Sequence, residues 1–215
     1  MSIDNVKSGQ KDEDRNESKN AFDKSNQRRR KRMTLLNEAQ RMLREHGATS
    51  ISLDDLAANL EISKGTVYYY FKSKDALLFE CYTISFDIWE QALDQADATG
   101  GSAGDRVESF LRTYLNEGLG TLHAVIYLRD QSSLQGTYRD EAEKRRRALR
   151  DRLRALVELG NRDGSINGAD PKVAATILGA SITWLLRAYQ PDATKSRESY
   201  IENALTILLN GLRSH

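Results

Sequence analysis

Residues 52–78 read SLDDLAANLEISKGTVYYYFKSKDALL, and this stretch carries the strongest structural signal in the chain. Ser52, Ser63 and Ser73 each precede a run of helix-forming residues, and a serine there accepts hydrogen bonds from the free N–H groups of the first turn. The first two runs are each about two turns long and are joined by Glu61-Ile62-Ser63. Two short helices separated by such a turn predict a helix-turn-helix, whose second helix enters the major groove of DNA.

The side chains of this stretch divide into an inward and an outward set. The apolar positions predicted to face the core are Leu53, Leu56, Ala57, Leu60, Ile62 and Val67, together with Tyr70 and Phe71. The outward positions of the second helix are Lys64, Thr66, Tyr68, Tyr69 and Lys72, whose hydroxyl and ammonium groups suit contacts with DNA phosphates. Gly65 lets the backbone approach a phosphate closely near the positive end of this helix. The alternatives are a solvated Lys64 and tyrosines that belong to the core.

A run of cations, QRRRKR at residues 27–32, lies just before this unit. A charge run is usually a solvated surface, but here it adjoins a helix-turn-helix. We therefore expect Arg28, Arg29, Arg30 and Arg32 to form an arm that binds phosphates or the minor groove. Residues 1–26 are polar and lack helical periodicity, so the sequence predicts that they are disordered.

The charge of the whole chain hides this basic segment. The 215 residues carry a formal net charge of +1, which argues against a strongly basic nucleic-acid binder. Residues 27–74, however, hold ten lysines and arginines against five carboxylates, whereas residues 75–215 hold 17 against 20. Local charge decides affinity for nucleic acid, so DNA binding is predicted for one face only.

Composition and motifs exclude several other classes of protein. Hydrophobic residues make up 39% of the chain, which is too many for full disorder, and a single cysteine excludes an internal disulfide or a cysteine-rich zinc site. No apolar stretch is long enough to span a membrane and the N-terminus lacks a secretion signal, so a cytoplasmic location is expected. The three histidines are scattered, and no metal spacing, phosphate loop or nucleophile motif occurs. The sequence thus predicts neither an enzyme nor a cofactor.

Residues 33–80 resemble the DNA-binding domain of TetR-family transcriptional regulators. The matching motifs are His46-Gly47, TSISLDDLA at 49–57, ISKGTVYYYF at 62–71 and KSKDALL at 72–78. This resemblance implies that Lys64, Thr66, Tyr68 and Tyr69 lie at the DNA. It also implies that Ser52 and Lys74 hold phosphates from the two flanking helices. Glu61 departs from the glycine usual in the family's turn, and costs about 1 kcal/mol if the backbone φ there is positive.

Helical spacing of apolar residues continues through the rest of the chain, so the fold class is all-α with about nine helices. We divide the chain into a polar tail (1–26), a helix-turn-helix domain (27–73) and a ligand-binding and dimerisation domain (74–215). The helices predicted after the helix-turn-helix cover residues 74–96, 105–118, 121–134, 137–160, 171–190 and 196–213.

The last two helices are apolar on more than one face, so each must be buried on two sides. In TetR-like proteins the corresponding helices form a four-helix dimer interface. The resemblance therefore implies a homodimer that binds a palindromic DNA operator, because the two-fold symmetry of the protein is mirrored in its site.

An effector cavity is expected between these helices and the helix-turn-helix. The candidate aromatic liners are Phe86, Trp89, Phe110, Tyr114, Tyr127, Tyr138, Trp184 and Tyr189, with Leu185 beside them and Arg129 and Arg187 as the charged candidates. A set of aromatic side chains suits an apolar pocket, although each one alone fits ordinary core packing. Three alternatives stay open for Arg187: it pairs with an acidic residue such as Asp130, it contacts an anionic ligand, or it lies at the rim of the dimer interface.

The stretches 125–130 and 184–191 loosely resemble TetR-family repressors of fatty-acid and steroid breakdown, a subgroup that often responds to acyl-CoA thioesters. The run KRRR at 144–147 then meets the CoA phosphates or, alternatively, is a solvated face. The function predicted is a repressor released from its operator by a small molecule. The alternatives are a ligand-independent DNA-binding protein, an activator, or a sensor of another aromatic or hydrophobic effector.

Overall fold

A computed structural model describes the backbone of residues 4–120, 134–190, 194 and 196–210. Over these ranges the chain is all-α, as predicted. Its helices are α1 (Asp4–His46), α2 (Leu53–Asn59), α3 (Lys64–Tyr70), α4 (Lys74–Thr99), α5 (Ala103–Gly120), α6 (Gly136–Asp163), α7 (Pro171–Ala188) and α8 (Arg197–Asn210). The helix predicted at 121–134 lies almost wholly outside the described residues, within which eight α-helices are seen.

The three predicted serine caps begin α2, α3 and α4. The Ser52 side chain accepts a hydrogen bond from the N–H of Asp55, and the Asp55 carboxylate accepts one from the N–H of Ser52 in return. Ser63 caps α3 through the N–H of Thr66, and Ser73 caps α4 through the N–H of Ala76. These short helices are thus positioned by local hydrogen bonds that their own sequence specifies.

The turn between α2 and α3 places Glu61 at a φ of 53°, so the backbone there is in the left-handed region. The N–H groups of Glu61 and Ile62 donate to the carbonyls of Ala58 and Ala57 at 3.1 and 3.0 Å. These bonds close α2 and turn the chain towards α3. Glutamate in this conformation costs about 1 kcal/mol relative to glycine.

The N-terminal segment differs from its predicted disorder, because α1 already begins at Asp4. Residues 4–32 contain no proline, and most of their polar residues tolerate a helix. The helix is anchored further along, where five buried residues recur at helical spacing: Leu35, Leu36, Ala39, Met42 and Leu43. Extending an existing helix requires no new nucleation, so these buried turns support a long polar extension.

Helix α4 is the structural link between the helix-turn-helix and the rest of the chain. It begins directly after α3 and packs against α1, α5 and α6. Arg145 of α6 forms ion pairs with Asp87 and Glu90 of α4, and Arg152 of α6 pairs with Asp94 and Asp97 at 2.8 and 2.9 Å. Acidic residues spaced along α4 therefore fix its register against α6.

The remaining helices follow the predicted pattern closely. Asp170 caps α7 by accepting a hydrogen bond from the N–H of Val173 at 2.8 Å, and Pro171 stands at the first helical position as predicted. Helix α7 packs against α5 and α6, while α8 packs against α5. Within the described ranges, no helix combines the length and apolar character needed to cross a membrane.

Candidate DNA-binding surface and effector cavity

Helix α3 exposes the side chains that are predicted to face DNA. Tyr68 and Tyr69 are 45% and 54% exposed, whereas Val67 and Phe71 are buried. Tyr70, which the sequence predicts to be buried, is only half-buried, and its ring lies edge-on to that of Tyr69 at a centroid distance of 5.1 Å. The short helix thus anchors one face in the core and presents aromatic hydroxyls to solvent.

Lys64, at the start of α3, is exposed but already has an acidic partner. Its Nζ lies 2.5 Å from Oδ2 of Asp54 on α2, and this hydrogen bond holds the pKa of Lys64 above its ordinary value. The lysine is therefore fully charged at neutral pH. Because the pair is exposed to solvent, a DNA phosphate can exchange with the aspartate.

The cationic run, residues 27–32, lies on α1 beside α3, the predicted recognition helix. The Arg28 guanidinium stacks over the ring of Tyr69 at 4.9 Å from its centroid. Arg32 forms an ion pair with Glu80 of α4 and lies 5.7 Å from the centroid of Phe71. Partial burial raises the pKa of Glu80, although Arg32 opposes that shift. The run is thus part of a helix attached to both α3 and α4.

A groove separates this part of α1 from α3, and its volume is about 430 Å³. The residues that line the groove are Lys24, Ser25, Gln27, Arg28, Lys31, Tyr69 and Tyr70. Three cations and two aromatic rings make it a suitable surface for a phosphate backbone.

The other predicted DNA contacts lie near this surface or at the helix starts. The exposed members are Arg28, Arg29, Arg30, Arg32, Lys64, Gly65, Tyr68, Tyr69 and Lys72, and the half-buried members are Ser52, Thr66 and Lys74. The Ser52 hydroxyl donates to the Asp55 carboxylate at 2.6 Å. Its capping role is therefore structural, and a phosphate contact there stays a prediction.

A cavity of about 420 Å³ opens between α4, α6 and α7. Its lining residues are Phe86, Trp89, Arg146, Leu149, Arg150, Ala175, Thr176, Gly179, Ala180 and Thr183. Its size falls within the range of small-molecule sites. Behind the wall, the Trp89 ring packs against Phe110 and Tyr114 at centroid distances of 5.4 and 5.3 Å.

Only part of the predicted aromatic set lines this cavity. Phe86 and Trp89 do, whereas Phe110 and Tyr114 are buried in the core behind Trp89. Burial raises the pKa of Tyr114, and neither its hydroxyl nor the Trp89 indole N–H has a hydrogen-bond partner within the described part of the chain. Tyr127 and Arg129 lie outside the described residues.

Five other candidates do not line this cavity, which corrects the prediction for them: Tyr138, Trp184, Leu185, Arg187 and Tyr189. Tyr138 packs against Phe79 at a centroid distance of 5.1 Å, and Tyr189 packs against Tyr200 at 5.0 Å. Trp184 is 55% exposed, with the Arg187 guanidinium 5.8 Å from its ring centroid. Aromatic type alone does not distinguish the inner from the outer face of α7.

Several lining residues are not among those predicted from the sequence. Arg150 and the small residues Ala175, Gly179 and Ala180 form the wall from α6 and α7. A side chain at Gly179 would meet the Trp89 ring at 3.0 Å, so the glycine makes room for that ring. The sequence feature that could have indicated this wall is the run of small residues on α7. Small side chains leave the space open that larger ones would occupy.

Large apolar residues are exposed on the face of α7 that points away from its buried residues, and on α8. Val173, Ile177 and Trp184 of α7 are each 55% exposed, and Ile207 of α8 is 76% exposed. The α7 residues recur at intervals of four and seven, so they form one stripe along the helix. Contiguous exposed apolar surface is a feature of interaction sites, so these residues are a candidate one. We call these four residues the apolar face.

The chain matches known proteins along most of its length. Residues 35–81 match the family model "Bacterial regulatory proteins, tetR family", and residues 100–212, more than half of the chain, match "Tetracyclin repressor-like, C-terminal domain". The transcriptional repressor NemR of Escherichia coli K12 is 25% identical over 82% of this chain and 90% of its own.

Solved structures give the same fold. The ketosteroid regulator KstR2 of Mycobacterium tuberculosis has a TM-score of 0.77 at 19% identity, covering 86% of this chain and 96% of its own. AibR in complex with isovaleryl coenzyme A and operator DNA has a TM-score of 0.73 at 20% identity, covering 83% and 97%. The structure has a helix-turn-helix followed by a helical body, and the two family models match residues 35–81 and 100–212. This chain therefore belongs to the TetR family of bacterial transcriptional regulators.

Proposed function

We propose that this regulator is a homodimeric, cytoplasmic repressor that leaves a palindromic operator when a small molecule binds between α4, α6 and α7. The observation that carries the proposal is the course of α4. This helix begins at Lys74, directly after the recognition helix, and contributes Phe86 and Trp89 to the cavity wall. A ligand that moves α4 therefore acts on the helix-turn-helix through one continuous element.

DNA binding is assigned to α3 and to the adjoining part of α1. Tyr68 and Tyr69 offer exposed hydroxyls, and Lys64 offers a charge whose present partner is exchangeable. Arg28, stacked on Tyr69, brings a second cation to the same surface. These groups position a protein on the phosphate backbone, while direct base contacts come from the same helix where it enters the groove.

Dimerisation is assigned to the apolar face. Val173, Ile177, Trp184 and Ile207 are exposed in the single chain, and water contact with such residues is unfavourable. Pairing α7 and α8 with the same helices of a second copy buries them in an isologous interface. The two recognition helices then read half-sites about 34–36 Å apart, which is one turn of DNA.

The effector is proposed to be an acyl-CoA thioester. This choice is supported by the AibR complex, which holds isovaleryl coenzyme A, and by a largely apolar cavity whose charged lining residues are two arginines. Release requires that the ligand bind the low-affinity conformation better than the DNA-bound one. A cavity of about 420 Å³ favours such effector control over ligand-independent DNA binding.

The proposal is tested in two stages with the full-length protein. In vitro selection from a random duplex library identifies the operator, and a two-fold symmetric sequence is expected. Fluorescence anisotropy with that duplex then measures Kd with and without isovaleryl-CoA and longer acyl-CoAs. An increase in Kd of at least about tenfold, equivalent to about 1.4 kcal/mol, supports release by the effector. An asymmetric operator, or an unchanged Kd with every thioester, contradicts the dimer or the effector assignment respectively.

A further inference from the structure

We propose that the cavity between α4, α6 and α7 binds an amphipathic anion, with Arg146 and Arg150 holding the anionic group. In the free protein, Arg146 is instead paired with Glu143, which lies outside the lining. This inference rests on the proposed effector function and assigns the ligand class and the residues that recognise it. Four features support it: the charge of the lining, its apolar remainder, the geometry around Glu143 and the different tasks of the neighbouring arginines.

The lining of the cavity has an excess of positive charge. Arg146 and Arg150 lie on its α6 side, and the described lining includes no carboxylate. The two wall hydroxyls do not compete as donors, because Thr176 and Thr183 each donate to a carbonyl of their own helix at 2.7 Å. A ligand that enters therefore meets an electrostatic field that favours a negative group.

The rest of the lining is apolar. Phe86, Trp89, Leu149, Ala175 and Ala180 contribute hydrocarbon surface, and Gly179 allows the Trp89 ring to lie close to α7. One end of the ligand should therefore be hydrocarbon and the other charged. A small inorganic anion would leave the apolar wall uncovered, and a neutral hydrocarbon would leave the arginines unused.

Glu143 shows what the arginines recognise. Its Oε2 accepts a hydrogen bond from Nε of Arg146 at 2.9 Å and a second from the Nη2 group of the same guanidinium. Its Oε1 lies 3.9 Å from Arg147 and from Arg150, beyond hydrogen-bond distance. The bond from Arg146 is the main cause that holds the pKa of Glu143 below its ordinary value. A carboxylate on a ligand can take over this two-point contact and also satisfy Arg150.

The neighbouring arginines do not share this task. Arg145 pairs with Asp87 and Glu90, and Arg152 pairs with Asp94 and Asp97, so both are committed to α4. Arg147 is 65% exposed and does not line the cavity. Arg146 and Arg150 thus combine access to the cavity with a partner that a ligand can replace.

Calorimetric titration of the full-length protein with three probes that share an octyl chain tests the charge preference. The probes are octanoate, octanol and octyltrimethylammonium. Octanoate is expected to bind at least about tenfold more tightly than octanol, because a charge-assisted hydrogen bond is stronger than a neutral one. Octyltrimethylammonium should bind more weakly than octanol. Equal affinities, a preference for the cation, or no binding of any probe at millimolar concentration would overturn the proposal.

Variants locate the anion. R146Q and R150Q should each weaken octanoate by about tenfold and leave octanol unchanged, whereas R147Q, the matched control on the same helix, should change neither. E143Q should tighten octanoate about two- to fivefold, because a half-buried competing carboxylate is removed. An effect of R147Q equal to that of R146Q, or weaker octanoate binding in E143Q, would contradict the assignment.

Octanoyl-CoA, octanoate and CoA alone distinguish the source of the anion. A free carboxylate site binds octanoate and excludes the thioester, whereas a phosphate site binds octanoyl-CoA with the same dependence on Arg146. CoA alone should bind more weakly than either because it lacks the octyl chain.

Operator affinity is measured in parallel. If an anion binds through Arg146 without changing operator affinity, effector control fails and the ligand assignment stands. If only a neutral or cationic compound releases DNA, effector control stands and the assignment of an anionic ligand fails.

Discussion

The ion pairs of the helix-turn-helix and those of the body serve opposite purposes. In the former, Lys64 and Arg32 are paired singly with Asp54 and Glu80 near the predicted DNA surface. In the body, Arg145 and Arg152 each bridge two carboxylates of α4. The single partner of Lys64 is exposed and easily exchanged for a phosphate, and that of Arg32 is half-buried, whereas two partners on a packed helix fix that helix in place. The number and position of the partners therefore separate a binding cation from a structural one.

The tryptophans extend the same comparison to apolar residues. Trp89 is 3% exposed inside the body, and Trp184 is 55% exposed on the apolar face. The sequence predicts that both line the cavity, yet only Trp89 does. One therefore supports the fold of a single chain and the other is free to support assembly, so their replacement should have separable consequences.

The largest effect is expected for Trp89→Ala. This substitution removes a buried ring that packs on Phe110 and Tyr114, and it should lower the free energy of unfolding by about 3–5 kcal/mol. Urea unfolding followed by circular dichroism measures the loss. The loss should persist at every protein concentration, since it arises within one chain. A change below about 1 kcal/mol would mean that the ring is not part of the core.

Trp184→Asp should leave the fold of the single chain nearly intact and weaken the dimer. An aromatic residue near the centre of an interface contributes about 2 kcal/mol or more, so dimer dissociation should increase about thirtyfold or more. Sedimentation velocity over a dilution series measures this increase. Tyr138→Asp, which changes a partly exposed aromatic residue outside the apolar face, is the control and should leave the dimer unchanged. Equal dissociation of both variants would place the interface elsewhere.

Arg29→Gln together with Arg30→Gln tests the cationic run without disturbing Arg28 or Arg32, which contact Tyr69 and Glu80. Each phosphate that the protein no longer neutralises reduces the slope of log affinity against log salt by about 0.9. Because the proposed homodimer carries both substitutions in each protomer, the slope for operator DNA should become shallower by up to about 3.6. Arg154→Gln on α6 is the matched control. An unchanged slope in the double variant would assign these arginines to solvent.

Glu61→Gly tests the turn between α2 and α3. Because residue 61 has a φ of 53°, the substitution should raise the free energy of unfolding by about 1 kcal/mol. Chemical unfolding measures the gain, with Glu45→Gly at the end of α1 as a control that should instead destabilise the protein. Destabilisation by Glu61→Gly would show that the glutamate side chain contributes more than its backbone costs.

Local and long-range structure differ in how well the sequence predicts them. The caps at Ser52, Ser63 and Ser73 and the strain at Glu61 depend on neighbours within three residues, and the structure has all of them. The separation of Trp89 from Trp184 depends on how α7 rotates against α4, which one sequence does not specify. The helical state of residues 4–26 is not predicted because those residues lack an apolar face, and their support comes from the buried turns of α1 that follow.

The smallest effect is expected for Asp54→Asn, which tests whether the ion pair between Lys64 and Asp54 can be exchanged for a phosphate contact. Removing the carboxylate leaves Lys64 free for a phosphate, so operator affinity should rise about two- to fivefold. The gain should vanish in the double variant Asp54→Asn, Lys64→Gln, because no ammonium group is then available. Fluorescence anisotropy at low salt measures both. A gain that persists without Lys64 would mean that Asp54 repels DNA directly, and the ion pair would then be structural like those of Arg145 and Arg152.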